Sequence, residues 1–262
     1  MNPFRRRIQT AMQSGGGAAA FSPTDIAGLQ LWLDASQIVG LNDGDPVATW
    51  SDLSGNANNA TQATASNKPT YKTNQINSRP VVRFDGVDDF MTYANQLFTF
   101  TGDATVFAVL KVASAPALYF PAIISDYTGL TTTCSICPQT YPNGGVEFCT
   151  DVASPGGVRA NSTDSTATAY LLTVAWQDWQ NHKSNGQTTI RVNGVAKTVA
   201  AYGSNPASFT GGSRFIGTLA NGAYGPADYL NGDIAALLVY NARLSAGDIA
   251  LVETYLDGLY NP

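Results

Sequence analysis

Histidine and glutamate are the scarcest chemistry in this 262-residue chain: His182 stands alone, and Glu147 and Glu253 accompany 17 aspartates. One histidine cannot build a histidine-rich metal centre, and any Ser-His-Asp triad would have to use it. Two glutamates 106 positions apart cannot supply the Glu-x-Asp-x-Glu strand of a glycan-cleaving site. Charge is also scarce, at 13% of residues, against about 25% in an ordinary soluble domain. No run approaches the ~18 apolar residues of a membrane-spanning helix. The net charge of −5 gives no general attraction to nucleic acid. Zinc needs four ligands, and among Cys134, Cys137 and Cys149 only one pair has the spacing, while nothing in the pattern places His182 nearby as a fourth. Three is also an awkward number for a disulfide framework. The cysteines are either thiols of a protein made in a reducing cytoplasm, or one bridge from Cys134 or Cys137 to Cys149 with a thiol left over.

What is plentiful is turn chemistry. Aspartate favours turns where glutamate favours helices, and 25 glycines and 13 prolines add to it. Between the turns lie short apolar or alternating stretches at 29–33, 81–84, 90–93, 105–112, 170–176, 189–192, 195–199, 213–217 and 233–240. The runs at 105–112 and 170–176 are apolar on both alternating faces, as in a central strand covered on both sides. Asn193-Gly194 reads as a hairpin turn joining 189–192 to 195–199. Asp85-Gly86-Val87-Asp88 reads as a turn between 81–84 and 90–93. One helix is predicted, at the end. Ser245 caps it, Asp248 follows three positions on, and Ile249, Val252, Leu256 and Leu259 form an apolar stripe. The pattern predicts an all-β antiparallel sandwich or jelly roll, and this length suits one such unit.

The charge is divided. Residues 1–20 carry Arg5, Arg6 and Arg7 and no acid, a balance of +3 that leaves −8 on the remainder. Gln9, Thr10, Gln13 and Ser14 interrupt any signal-peptide core. Residues 1–22 are therefore read as a basic attachment arm with a Gly/Ala hinge, its Phe4, Ile8 and Met12 recurring at helical spacing. Residues 23–262 are read as one domain.

Five segments then carry a resemblance. They are Leu31-Trp32-Leu33-Asp34-Ala35, Trp50-Ser51-Asp52-Leu53-Ser54-Gly55-Asn56 and Arg79-Pro80-Val81-Val82-Arg83-Phe84-Asp85-Gly86. Late in the chain come Leu230-Asn231-Gly232-Asp233-Ile234-Ala235 and Val239-Tyr240-Asn241-Ala242-Arg243-Leu244-Ser245. In this order, over most of the chain, they resemble the concanavalin A-like, laminin-G-like jelly-roll domains. The resemblance implies two packed antiparallel sheets and a protein that binds glycans, binds proteins or builds structure. Similar chains with a short non-signal arm belong to bacteriophage virion proteins.

Asp85, Asp88 and Asp89 set three carboxylates within five residues. They are either hard ligands for Ca²⁺, which laminin-G-like and pentraxin-like relatives often carry, or simply a turn. Asn42-Asp43-Gly44-Asp45 is a weaker version of the same pattern. Among aromatics, Trp32, Trp50 and Trp176 read as core. Trp179 in a polar stretch, Tyr224 and Tyr229 in a glycine-rich loop, and Tyr141 among prolines and glycines read as platforms for a glycan or partner.

The resulting expectation is a non-enzymatic phage virion protein made in the host cytoplasm, a head or tail decoration or fibre-type subunit present as a homo-oligomer or in multiple copies on the particle. Phe4, Arg5, Arg6, Arg7, Ile8 and Met12 would hold it to capsid or tail subunits, and the jelly roll would meet host-surface polysaccharide. No nucleic acid, membrane or cofactor is expected, calcium at the aspartates aside. The alternative is a bacterial carbohydrate- or protein-binding module. A glycan hydrolase is disfavoured, because no strand carries two acids at i, i+2 on one face of an apolar setting.

Overall fold

The computed structural model describes residues 20–97, 102–113, 122–127, 133–137, 145–151, 156–161, 169–178, 187–202, 213–218 and 229–262. Its strands are β1 (Leu29–Asp34), β2 (Thr49–Trp50), β3 (Ala60–Thr61), β4 (Thr70–Ile76), β5 (Arg79–Asp85) and β6 (Met91–Thr92). These are followed by β7 (Ala104–Val112), β8 (Ile124–Tyr127), β9 (Thr133–Cys137), β10 (Gly145–Asp151), β11 (Gly156–Asn161) and β12 (Tyr170–Trp176). The last are β13 (Thr189–Val192), β14 (Val195–Ala196), β15 (Val199–Tyr202), β16 (Ser213–Ile216) and β17 (Asn231–Tyr240), before helix α1 (Ala246–Tyr260). They make two antiparallel sheets. The first runs β14-β13-β12-β7-β17-β5-β4, with β1 also on β17; the second runs β15-β11-β10-β9-β8-β16-β6-β3-β2. This is the all-β jelly-roll-like sandwich with a C-terminal helix that the strand pattern predicts.

Apolar sequence explains the layering. Leu31, Leu33, Trp50, Phe84, Met91, Leu110, Leu172, Trp176 and Leu237 fill the space between the sheets. A second apolar layer lies outside the first sheet. There Phe107, Val109, Leu171, Leu238 and Tyr240 pack on Ile249, Val252, Leu256 and Tyr260 of α1. Strand β12 is buried throughout, and β7 and β17 nearly so. That is why 105–112 and 170–176 show no polar alternation: neither of their faces meets water. Trp50 and Trp176 are core as expected, whereas Trp32 is half-buried, edge-on to Tyr255 with ring centroids 6.2 Å apart.

The expected turn at Asp85 and the expected hairpin at Asn193-Gly194 both form, but the chain beyond each goes to the other sheet. Strands β5 and β6 belong to different sheets, so the turn after Asp85 is a crossover between layers. The stretch 195–199 also divides: β14 pairs with β13, and the chain then leaves for the second sheet, where β15 pairs with β11. Asn193 and Gly194 do make the hairpin turn, with φ of 49° and 72°. Period-two alternation identifies a strand but not its neighbour, which is why these destinations were not legible in the sequence.

Both strands flanking β17 and β5 on the outside have their free edges covered. At β1 the Trp32 N–H donates to Asp52 Oδ1 at 2.9 Å and the Leu53 N–H to the Trp32 carbonyl at 2.8 Å. The Asn56 and Asn58 amides donate to the Leu29 and Gln30 carbonyls, each at 2.8 Å. The Trp50–Asn56 segment of the resemblance is thus a plug for a strand edge. At β4 the Tyr71 N–H donates to the Asp45 carbonyl at 2.8 Å, and the Thr73 N–H to Asp43 Oδ1 at 2.8 Å.

Polar bonds fix the helix to the sheet. Ser245 Oγ accepts from the Asp248 N–H at 3.1 Å, the cap expected from sequence. Buried Glu253 accepts from Thr173 Oγ1 at 2.8 Å and from Arg191 Nε and Nη2 at 2.7 and 3.0 Å. Tyr260 donates its hydroxyl to Asp34 Oδ1 at 2.6 Å, and Arg79 Nε donates to the Leu259 carbonyl at 2.7 Å.

Candidate functional site

The crossover from β5 to β6 gathers the three aspartates. Gly86 has φ of +77°, and a Cβ there would lie 2.7 Å from Asn231 Cβ, so only glycine fits against β17. Asp85 Oδ1 accepts from the Val87, Asp88 and Asp89 N–H groups at 2.8, 3.3 and 3.4 Å. Asp89 Oδ2 accepts from the Asp85 N–H at 3.0 Å. The turn is therefore closed by its own carboxylates. Asp89 is buried; loss of water raises its pKa to about 7, helped by the charges of Asp85 and Asp88 and opposed by the Asp85 N–H.

One carboxylate oxygen from each of Asp85, Asp88 and Asp89 lies within 4.8 Å of the others. This spacing suits a hard cation bonded at about 2.3–2.6 Å. The donor set fits in part: three carboxylates are present, but Asp85 and Asp89 each already spend an oxygen on the backbone. Calcium there would draw on Asp88 and the remaining oxygens of its two neighbours.

Aromatic rings adjoin the turn. Phe90 follows Asp89, and its ring meets Phe215 edge-on at 5.6 Å and Tyr229 at 6.4 Å. All three are half-buried. Tyr229 bridges to Thr218, and two residues later Asn231 pairs with Asp85, which brings the expected Tyr229 to the acidic turn. From Phe215 a row of directly opposed residues crosses β6, β3 and β2 as Thr92, Thr61 and Thr49, all exposed. Their chain neighbours Met91, Ala60 and Trp50 are fully buried, so the row lies on the outer face of the second sheet. Sequence reasoning missed Phe90, Phe215 and the threonines. Phe90 was open to it through its place beside Asp89, whereas the row exists only through strand register.

Trp179, Tyr224 and Tyr141 lie outside the described residues, as do Phe4, Arg5, Arg6, Arg7, Ile8 and Met12. In the ladder of β9 and β10, Cys137 is opposite Glu147 and Cys149 is opposite Ser135, so neither Cys134 nor Cys137 is directly opposed to Cys149.

No protein-family model and no curated protein matches the chain. Solved structures do. Domain 4 of AbnA, a GH43 extracellular arabinanase from Geobacillus stearothermophilus in complex with arabinotriose, aligns with a TM-score of 0.61 at 15% identity, over 87% of this chain and 98% of that domain. Trypanosoma rangeli sialidase in complex with sialic acid aligns at 0.56 and 13% identity, over 98% of this chain but only 38% of the sialidase. The binding domain of Paraclostridial Mosquitocidal Protein 1 aligns at 0.54 and 11% identity, over 92% of this chain and 54% of that one. At these identities the likeness is one of fold, and the fold is the β-sandwich described above.

Proposed function

We propose that the chain is a carbohydrate-binding module without catalytic activity, the alternative rather than the leading expectation from sequence. The observation that carries this reading is the near-complete overlap with an arabinanase domain whose structure holds arabinotriose, joined to the half-buried aromatic cluster on the sandwich surface. Ring faces suit the C–H faces of sugars. The fate of the buried acids supports binding over cleavage. Among the described residues these are Asp34, Asp89, Asp233 and Glu253. Asp34 receives the Tyr260 hydroxyl, Asp233 the Arg83 guanidinium, Glu253 that of Arg191, and Asp89 a turn N–H. Each is engaged in holding the fold, and a general acid or nucleophile needs access to its substrate. The virion role and its attachment arm draw no support from the similar structures.

The test is affinity electrophoresis of the full chain through gels containing soluble polysaccharides, arabinan among them, with a parallel assay for released reducing ends. Retardation without release is expected. Absence of retardation by every polymer would overturn the binding reading, and release of reducing ends would overturn its non-catalytic part.

A further inference from the structure

The two sheets differ on their outer faces. Helix α1 fills that of the first sheet, whereas the second presents Thr49, Thr61 and Thr92 exposed in register, ending on the rings of Phe215, Phe90 and Tyr229. We propose that this strip is the glycan-docking surface and that it takes neutral sugar chains lying across β2, β3, β6 and β16. The inference rests on the carbohydrate-binding reading and adds a place and a ligand class to it.

The chemistry of the strip suits that ligand. Hydroxyls on successive strands repeat at about 4.8 Å, offering donors and acceptors to successive sugar hydroxyls. Threonine is short and stiff at χ1, so little side-chain freedom is lost on binding. Thr92 is held further by donating to the Thr61 carbonyl at 3.3 Å. The aromatic end supplies an apolar platform, its rings already braced against one another at 5.6 and 6.4 Å.

Charge selects among glycans. No side chain of the strip is ionic, and the turn that borders it through Phe90 carries Asp85, Asp88 and Asp89. Arg214, next to Phe215, donates from Nη1 to the Ala94 carbonyl at 3.1 Å. Residues 21–262 carry −8. A carboxylated sugar arriving here meets like charge, and a neutral one does not.

The experiment uses full chain in affinity gels and calorimetry with neutral polymers (linear arabinan, xylan, mixed-linkage glucan) and acidic ones (polygalacturonate, polysialic acid). The expected result is binding to at least one neutral polymer and to neither acidic one. Tyr229→Ala and Thr61→Glu should each weaken binding roughly tenfold, the loss of one stacking or strip contact. Thr61→Glu alters only an exposed position, so its circular dichroism spectrum should match that of the parent. Val195→Ser, on the 59% exposed Val195 of β14 in the other sheet, should leave binding unchanged. Binding that survives Thr61→Glu and Tyr229→Ala in full would overturn the strip while leaving the carbohydrate reading standing. Preference for the acidic polymers would overturn the ligand class. Binding to no polymer would overturn the carbohydrate reading, and the strip with it.

Discussion

Asp89 is the residue whose chemistry departs furthest from its sequence expectation among the site candidates. Its carboxyl titrates at about 7 in the fold against 3.8 ordinarily, chiefly through lost hydration. The folded state therefore holds the proton more tightly than the unfolded chain does. The linked stability is full below about pH 4 and falls as pH rises through about 7. Asp89→Asn removes the ionisation yet keeps an oxygen for the Asp85 N–H. In chelator, the variant should match the parent near pH 4 and melt at a higher temperature near pH 8, as thermal scans at both pH values would read. Adding millimolar calcium at pH 8 separates the two readings of the turn. A rise in the parent's melting temperature that Asp89→Asn loses would assign a cation to the turn, and equal curves would leave it a turn. Sequence located these carboxylates correctly. What it lacked was the burial of Asp89, which depends on where the crossover from one sheet to the other sets that residue.

At the scale of the element, edges matter as much as strands. Asp52 accepts three N–H groups at 2.9 Å, from Trp32, Ser54 and Asn58. Asp52→Ala leaves all three N–H donors without their acceptor at once and opens the edge of β1, and the expected cost is about 2–3 kcal/mol, measurable as a lower urea midpoint. Elements with strong local signals were legible: β7, β12 and β17 through unbroken apolar runs, and α1 through Ser245, Asp248 and its stripe. Strands β4 and β8 to β11 were not. In β4 the buried Tyr71 and Ile76 are five residues apart, with an irregular register between Lys72 and Ile76, so no clean alternation survives. Strands β9 to β11 are rich in Gly, Ser, Thr and Cys, which announce no period.

At the scale of the whole molecule, the sandwich depends on close approach between sheets. Gly217, just past β16 of the second sheet, has φ of +84°, and a Cβ there would fall 2.3 Å from the Phe84 ring of the first. Gly217→Ala should cost about 3–5 kcal/mol from backbone strain and overpacking together, seen as a large loss in urea midpoint. By itself, the sequence determined the class of fold, the closing helix and its cap, and the acidic turn, because these follow from local periodicity, capping residues and short-range turn geometry. It also disfavoured the usual glutamate-based glycan chemistry, since two glutamates are too few; the tertiary structure then committed Glu253 to an ion pair beneath α1. Only the tertiary structure decided which strands are neighbours. That choice sent the Asp85 turn across the layers, divided 195–199 between sheets, and aligned Thr49, Thr61, Thr92 and Phe215 on one face. Alternation fixes which residues of a strand share a face, but strand pairing is set by long-range packing, and a surface built from four strands exists only once they are paired.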